Sequence, residues 1–166
     1  MNSNDYYRFN DRQRTFSILR PDTPQPWINY LSNGTMHAFV SQAGGGFAWW
    51  KSPFAYRITR YRQYNLPLDS PGFYVYIRHR DGTIWSPTSR PCPVEPEKWR
   101  AEHLPGKTRF IAENHGVRAV LTYFVAPDFN VLVWSLELYS ADGKEHSLDV
   151  YSYCEYSQPR WDSESS

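Results

Sequence analysis

Prolines recur through the first hundred residues of this chain, and thirteen are present in all. Because proline lacks a backbone donor and its ring clashes with the preceding helical turn, no long helix can form where prolines are this frequent. Tyrosine, tryptophan and phenylalanine make up 17% of the sequence, and these residues suit the half-buried surface of a pleated strand. The composition therefore predicts an all-β protein.

Alternation of apolar residues locates the strands most clearly in the second half of the chain. Positions 117, 119, 121, 123 and 125 are all apolar or aromatic, as expected for one face of a strand. The pattern predicts about nine strands, at residues 15–19, 35–41, 46–51, 73–80, 83–86, 107–113, 117–125, 131–139 and 147–156. Asp81-Gly82 signals a hairpin, another hairpin is expected over residues 107–125, and the last two strands should continue it as a meander. The short spacings favour an antiparallel β-sandwich or barrel.

Length and charge restrict the possible classes of protein. The chain has 166 residues, which is enough for one domain with a hydrophobic core. A formal net charge of +1 disfavours nucleic acid or an anionic membrane as a partner. No run approaches the roughly 18 apolar residues that cross a bilayer, and the polar first residues do not resemble an export signal. We therefore expect a cytoplasmic protein without a membrane partner.

The side chains that usually bind metals show no ligand spacing. Cys92 and Cys154 lie far apart and form no CxxC motif, so we expect two reduced thiols. The five histidines are scattered one to a segment, so a zinc site would require an unsupported coincidence in space, and no metal is expected. Asn33-Gly34-Thr35 fits both a glycosylation site and a tight turn, and the turn is favoured because no export signal is seen.

Three consecutive glycines at positions 44–46 are predicted to form a bulge or a tight turn. A phosphate-binding loop would lead into a helix, whereas an aromatic run that continues as a strand follows here. The alternative, a close approach of the backbone to a ligand, stays open.

The acidic residues do not form an obvious catalytic pair, although glycoside chemistry uses two carboxylates, or one together with phosphate. Most of them lie in turns near proline or glycine, or in the proline-rich stretch that contains Glu95 and Glu97. Only Glu155 follows an apolar strand. Because no Ser, His and acid grouping resembles a nucleophilic site either, we expect no catalytic residue in this chain.

A segment rich in aromatic and basic residues is the strongest candidate for a contact surface. Trp49 and Trp50 end a predicted strand, and the run RITRYR at 57–62 follows them. Its basic residues are Arg57, Arg60 and Arg62. Guanidinium groups bind sugar hydroxyls, carboxylates or phosphate, or form ion pairs along an interdomain contact, and the second is favoured beside so many aromatic rings.

A hypothesis from another class is a free-standing carbohydrate-binding module. It would use a stacking platform of exposed indole rings, formed by Trp27, Trp49, Trp50 and Trp85. A purely structural interaction module is a third possibility.

Six short motifs occur in the same order as in one known family. They are RPDTP at 20–24, PWINYL at 26–31, AGG at 43–45, RITRYR at 57–62, WSPT at 85–88 and TYFV at 122–125. Over nearly its whole length the chain resembles the amino-terminal β-sandwich of the glycoside hydrolase family 94 phosphorylases, the cellobiose and chitobiose phosphorylase group. The resemblance implies that residues 1–166 are part of a galactose-mutarotase-like super-sandwich, incomplete at this length.

The resemblance also implies an activity for a longer parent protein, a phosphorylase of the glycosyltransferase type. Such enzymes carry an (α/α)6 barrel, absent here, in which an aspartic acid protonates the glycosidic oxygen of a β-linked disaccharide while inorganic phosphate attacks the anomeric carbon with inversion. The products are an α-sugar 1-phosphate and a free sugar. Phosphate is therefore a co-substrate, no other cofactor is implied, and this segment alone is expected to be inactive.

Members of this family form homodimers in which the sandwich of one subunit reaches the acceptor site of the other. The resemblance places the corresponding strand at residues 152–156 and the following loop at Arg160 and Trp161, where an intruding proline and arginine depart from the family pattern. It also implies an unpaired strand edge and an exposed apolar face. Because both favour association, we expect the isolated chain to self-associate.

Overall fold

The computed structural model describes residues 6–61 and 70–157, which contain strands and turns but no helix. Twelve strands lie in these ranges. They are β1 (Tyr7–Asn10), β2 (Thr15–Ile18), β3 (Ile28–Ser32), β4 (Met36–Ser41), β5 (Gly46–Trp50), β6 (Tyr74–His79), β7 (Ile84–Trp85), β8 (Lys98–Leu104), β9 (Lys107–Asn114), β10 (Val117–Val125), β11 (Leu132–Ser140) and β12 (Leu148–Tyr153). Neighbouring strands all pair antiparallel.

The strands form three sheets that share a core. One sheet has six strands in the order β1-β2-β8-β9-β10-β11, and two smaller sheets have the orders β12-β6-β7 and β3-β4-β5. The β3-β4-β5 sheet packs against the middle of the large sheet, and the β12-β6-β7 sheet packs against one end of β9 and β10. The prediction of an all-β antiparallel sandwich is confirmed.

The main core lies between the large sheet and the β3-β4-β5 sheet. Phe110 on β9 and Leu121 and Tyr123 on β10 are fully buried, and Leu31 on β3 faces them from the other layer. The Tyr123 hydroxyl donates a 2.7 Å hydrogen bond to the carbonyl of Phe73, so its polar atom is satisfied inside the core. Burial raises the pKa of Tyr123 well above its ordinary value, and the residue therefore stays neutral.

All nine predicted strands are present, with bounds that shift by a few residues, but the prediction misses β1, β3 and β8. The β8 strand contains Lys98, Ala101 and Glu102, which are residue types depleted in strands. It forms because β2 and β9 hydrogen-bond to its two edges. Pairing with distant segments thus overrides the local preference of this sequence.

The expected meander is wrong at its last step. The β11 strand pairs with β10 as predicted, but β12 pairs with β6, with Leu148 opposite His79 and Tyr153 opposite Tyr74. The loop of residues 141–147 therefore carries the chain from the large sheet to a small one. Consecutive strands are neighbours only about two-thirds of the time, and local alternation does not encode the partner.

The tight turn predicted at the three glycines is confirmed, and it brings two backbone segments together. Gly44 has a φ of +79°, and its carbonyl accepts a 3.0 Å hydrogen bond from the amide of Phe73. The amide of Gly46 donates to the carbonyl of Pro71 at 3.0 Å. A Cβ on Gly72 would lie 2.4 Å from the Gly44 carbonyl oxygen, so only glycine permits this crossing. The crossing joins the start of β6 to the β3-β4-β5 sheet.

Asn33 shapes the hairpin between β3 and β4, which confirms the predicted turn there. Its Oδ1 accepts hydrogen bonds from the amides of Thr35 at 3.0 Å and Met36 at 2.8 Å. Its Nδ2 donates to the carbonyls of Ala126 at 2.9 Å and Phe129 at 3.0 Å. One side chain therefore sets the turn and fastens it to the loop that follows β10.

Candidate functional site

The outer side of the β3-β4-β5 sheet carries a layer of aromatic rings, which we call the aromatic face. Successive side chains of a strand point to opposite sides, so the burial of Leu31, Ala38 and Ala48 in the core turns their neighbours outward. The aromatic face consists of Tyr30, His37, Phe39, Phe47, Trp49 and Tyr61.

The rings of the aromatic face pack closely on one another. Phe47 stacks on Trp49 with 4.8 Å between ring centroids, and His37 stacks on the same indole at 5.4 Å. Tyr61 lies 4.7 Å from Phe47, which is only 8% exposed. By contrast, 65% of Tyr30 is exposed. An apolar layer with exposed rings on the surface of a small domain is typical of an interaction surface.

Arg57 joins this surface at Trp49. The amide of Trp50 donates to the carbonyl of Tyr56 at 2.9 Å, so the chain after the turn runs antiparallel beside β5. Trp49 and Arg57 are directly opposed in this pairing, which places their side chains on the same side of the sheet. The Arg57 Nε donates a 2.8 Å hydrogen bond to the carbonyl of Pro53, and this bond orients the guanidinium group.

Trp50 points to the other side of β5 and is therefore not part of the aromatic face. The ammonium group of Lys51 lies 4.3 Å from the centre of its ring, and the ring of Tyr56 contacts it edge-on at 5.2 Å. The adjacent Trp49 and Trp50 therefore lie on opposite sides of the sheet.

Arg60 belongs to a second feature, a seam in which residues 58–60 run between β5 and residues 155–157. The amide of Arg60 donates to the carbonyl of Glu155 at 2.7 Å, and the amide of Ser157 donates to the carbonyl of Ile58 at 3.0 Å. The Arg60 guanidinium also forms an ion pair with the Glu155 carboxylate. Both side chains are more than a third exposed, so this pair contributes little to stability.

Glu155 also accepts a hydrogen bond from a tyrosine at the seam. The Tyr153 hydroxyl donates a 2.5 Å hydrogen bond to its Oε1, and this bond is the main cause of the raised pKa of Tyr153. The only acid that the sequence places after an apolar strand is therefore occupied by an arginine and a tyrosine. Three further predicted contact residues, Arg62, Arg160 and Trp161, lie outside the described residues.

An apolar cleft of about 510 Å³ opens beside the seam, between β11 and residues 152–156. Its lining includes Leu132, Trp134, Cys154 and Tyr156. Within the described ranges β11 and β12 are edge strands of their sheets, as are β1, β3, β5 and β7. The sequence did not point to this cleft, because it is bounded by strands of two different sheets.

The four tryptophans proposed as the stacking platform of a carbohydrate-binding module do not share one exposed surface, so this prediction is wrong. Trp85 is fully buried, and its indole N–H donates to His79. Trp27 packs among aromatic rings next to β1 and β2, including Tyr7 and Phe16. Only Trp49 of the four indoles lies on the aromatic face.

Several acidic side chains form ion pairs or accept hydrogen bonds, whereas a glycosidic acid needs a raised pKa. Glu102 is buried, and Arg100 and Arg109 hold it at 2.9 Å and 2.5 Å. Hydrogen bonds lower the pKa of Asp22 and of Asp81, from Arg20 and Thr83 respectively. Asp22 and Asp81 are therefore charged at neutral pH and poorly suited to donate a proton.

Cys92 and Cys154 are both free, as predicted. Among residues 6–61 and 70–157, no three His, Cys, Asp or Glu side chains are arranged to hold a metal ion. In the same two stretches there is no helix of the length and hydropathy needed to cross a bilayer.

Comparison with known families decides what this sandwich is. The sequence model of the glycosyl hydrolase 94 supersandwich domain matches residues 14–164. The chain belongs to this family. The supersandwich match begins before β2 and includes the aromatic face, the seam and the cleft, so these three features are parts of one family domain.

Relatives of this chain include three enzymes with different activities. N,N'-diacetylchitobiose phosphorylase of Vibrio furnissii is 29% identical over 155 residues, which is 92% of this chain and 19% of that protein. The 3-O-beta-D-glucopyranosyl-beta-D-glucuronide phosphorylase of Paenibacillus borealis is 28% identical over 154 residues, again 92% and 19%. The cyclic beta-(1,2)-glucan synthase NdvB of Rhizobium meliloti (strain 1021) is 24% identical over 135 residues, 81% of this chain and 5% of that protein. The chain spans about a fifth of the length of the two phosphorylases.

Of the six residues of the aromatic face, Trp49 alone is among the contact residues predicted from the sequence. Trp49 and Arg57 were predicted, and the structure brings them together. Tyr30, His37 and Phe39 were not predicted. Alternation around the Asn-Gly turn carried the signal, since Tyr30 before the turn and His37 and Phe39 after it occupy every second position of the paired strands.

Proposed function

We propose that this supersandwich is the non-catalytic amino-terminal portion of an inverting disaccharide phosphorylase. The observation that carries the proposal is the family match over residues 14–164, together with relatives that are disaccharide phosphorylases. The parent protein would convert a β-linked disaccharide and phosphate to an α-sugar 1-phosphate and a free sugar. Phosphate takes the place of the water and base of a hydrolase, and no other cofactor is required.

The role proposed for this chain is to contact the sugar-cleaving unit and to support a cytoplasmic homodimer. The aromatic face supports this role because Tyr30 and Tyr61 remain exposed on it and Arg57 joins it opposite Trp49. Aromatic and arginine side chains are the residue types that dominate protein interfaces. Arg60 at the seam, Trp50 beside Lys51, and Arg62, Arg160 and Trp161 complete the proposed contact residues.

Phosphorolysis is the direct test of this function. The complete product of the gene that encodes this chain should release α-sugar 1-phosphate from one or more β-disaccharides in the presence of phosphate. The 166-residue chain assayed alone should release none. Turnover of a glycoside by the isolated chain would contradict the non-catalytic role, and no release by the complete product from any β-disaccharide would contradict the phosphorylase assignment.

The docking role predicts a specific effect of Tyr30→Ser. Loss of one central interface ring typically costs about 2 kcal/mol, which corresponds to roughly 30-fold weaker binding. We expect this loss in the affinity of the chain for a separately produced sugar-cleaving unit, measured by calorimetry. The matched control is Tyr151→Ser, because Tyr151 is 52% exposed on β12 and lies outside the aromatic face. Equal effects of the two substitutions would argue against the aromatic face as the contact.

Sugar binding by the aromatic face is the alternative that the exposed rings also support. Titration of the isolated chain with cello-oligosaccharide would then shift tryptophan fluorescence, and Trp49→Phe would abolish the shift. We expect no shift, since the rings of the aromatic face stack on one another rather than presenting a flat platform.

A further inference from the structure

Three histidines from three separate turns meet at one end of the sandwich. His79 ends β6, His115 lies in the turn between β9 and β10, and His146 lies in the loop between β11 and β12. The ring centroids of His79 and His115 are 5.4 Å apart, and those of His79 and His146 are 6.3 Å apart. Residues that are scattered along the sequence thus form a histidine cluster in space.

The hydrogen bond from Trp85 determines the protonation state of His79. The indole Nε1 lies 2.9 Å from the His79 Nε2 and can only donate, so Nε2 must accept and cannot carry a proton. His79 is therefore neutral, with its proton on Nδ1. Trp85 is fully buried and His79 is 7% exposed, so a proton added to Nε2 would leave a buried indole N–H without its acceptor.

The loop between β11 and β12 is fastened beside this bond. The amide of Ala141 donates to the carbonyl of Gly116 at 2.7 Å, next to His115. Within the loop, Asp142 accepts hydrogen bonds from the His146 ring at 2.8 Å and from the amide of Lys144 at 3.0 Å. Contacts with His146 and Lys144 lower the pKa of Asp142 to about 2, so this carboxylate stays charged throughout the range in which histidines titrate.

The charged groups around His79 come from every element that packs on it. Arg80 and Asp81 follow it in the β6–β7 turn, and Glu145 and Lys144 lie in the loop that holds His146. Glu97 accepts a hydrogen bond from the amide of His115, and the neighbouring Arg78 and Asp149 pair with each other at 3.9 Å. Burial is the main cause of the lowered pKa of His79, His115 and His146 lower it further, and Asp81 opposes them.

We propose that the histidine cluster is an acid-sensitive latch, which holds the β11–β12 loop against the β9–β10 turn at neutral pH and releases it on acidification. The loop connects β11 and β12, which are edge strands of two different sheets, so its release would loosen both strands together. This role is independent of the proposed phosphorylase function.

The sign of the effect follows from the position of His79. Its pKa in the closed state lies below the ordinary value near 6.5, whereas in an opened loop the ring is hydrated and returns toward that value. The opened state therefore binds more protons as the pH falls through about 6.5, and the stability of the latch is full above this pH and decreases below it. Asp142 has the same sign, because its folded pKa of about 2 also lies below its ordinary value, but its stabilisation is lost only as the pH falls from about 4 to about 2.

Local hydrogen exchange is the appropriate measurement, because the buried His103 also has a lowered pKa and would contribute to any global acid unfolding. After correction for intrinsic exchange, protection of the Ala141 and Lys144 amides should fall between about pH 7.5 and about pH 5.5, by at most about tenfold. His79→Gln keeps a carbonyl acceptor for Trp85 but cannot titrate, so its protection should be nearly independent of pH. His37→Gln removes a histidine outside the cluster and should behave as the wild type does.

Nitrogen NMR of the histidine rings tests the same idea without a variant. The His79 Nε2 should show the chemical shift of an unprotonated, hydrogen-bonded nitrogen at about pH 7.5, and its titration midpoint should lie below about 6.5. A protonated Nε2 at neutral pH, a higher midpoint, or an unchanged pH dependence in His79→Gln would each overturn the latch.

Discussion

Replacing Phe110 with alanine is expected to lower the free energy of unfolding of this chain by about 4 kcal/mol. Phe110 is fully buried at the centre of the large sheet, where it lies opposite Ala101 on β8 and Leu121 on β10. Its ring contacts Tyr123 edge-on at 5.8 Å. The substitution removes the transfer free energy of the ring and leaves a cavity that neighbours on two sheets can fill only in part.

Urea denaturation followed by tryptophan fluorescence measures this loss, since the free energy of unfolding falls linearly with denaturant. The matched control is Phe129→Ala, because the Phe129 ring is 69% exposed and its removal should change stability by less than about 0.5 kcal/mol. A similar loss for both variants would mean that the core does not lie between the large sheet and the β3-β4-β5 sheet.

Gly72→Ala is expected to cost about 3 kcal/mol, through steric overlap rather than backbone strain. The added Cβ would lie 2.4 Å from the Gly44 carbonyl oxygen and 2.7 Å from the Tyr74 hydroxyl. The backbone oxygen cannot move without breaking the bond from the Phe73 amide, which ties the glycine turn to the start of β6. The loss should therefore appear as a separation of the β3-β4-β5 sheet from β6.

Gly82→Ala is the control, because it introduces backbone strain at a positive φ without any steric overlap. Gly82 has a φ of +90° in the β6–β7 turn, and a Cβ there would meet nothing within 4 Å. It should cost about 1 kcal/mol, the usual penalty for an L residue in the left-handed region. Should Gly72→Ala prove no more destabilising than Gly82→Ala, the close crossing of the two segments would be refuted.

The two predictions bear on function because both concern the support of the aromatic face. The inner side of the β3-β4-β5 sheet packs on Phe110 and Tyr123, and its outer side carries Tyr30 and Trp49. A loss of core packing should therefore also weaken the proposed docking. Tyr30→Ser separates these effects, since Tyr30 is 65% exposed and its removal leaves the core intact.

The amino-acid sequence by itself determined the class of the fold and the position of nine strands. Period-two alternation around Leu121 and Tyr123 and the turn residues at Asn33 and Asp81 act over a few neighbouring positions, so they can be read locally. The ordered motifs also pointed to the family that the match over residues 14–164 shows. For the candidate site, local reading singled out Trp49, Trp50, Arg57 and Arg60.

The tertiary structure alone decided which of these side chains work together. Trp49 and Trp50 separate onto opposite sides of β5, Arg60 pairs with Glu155 far along the chain, and Tyr30 and His37 join Trp49 from other strands. The histidine cluster likewise depends on the loop that carries β12 to β6. These outcomes depend on contacts between residues distant in sequence, and strand pairing and burial set such contacts without leaving a local pattern to read.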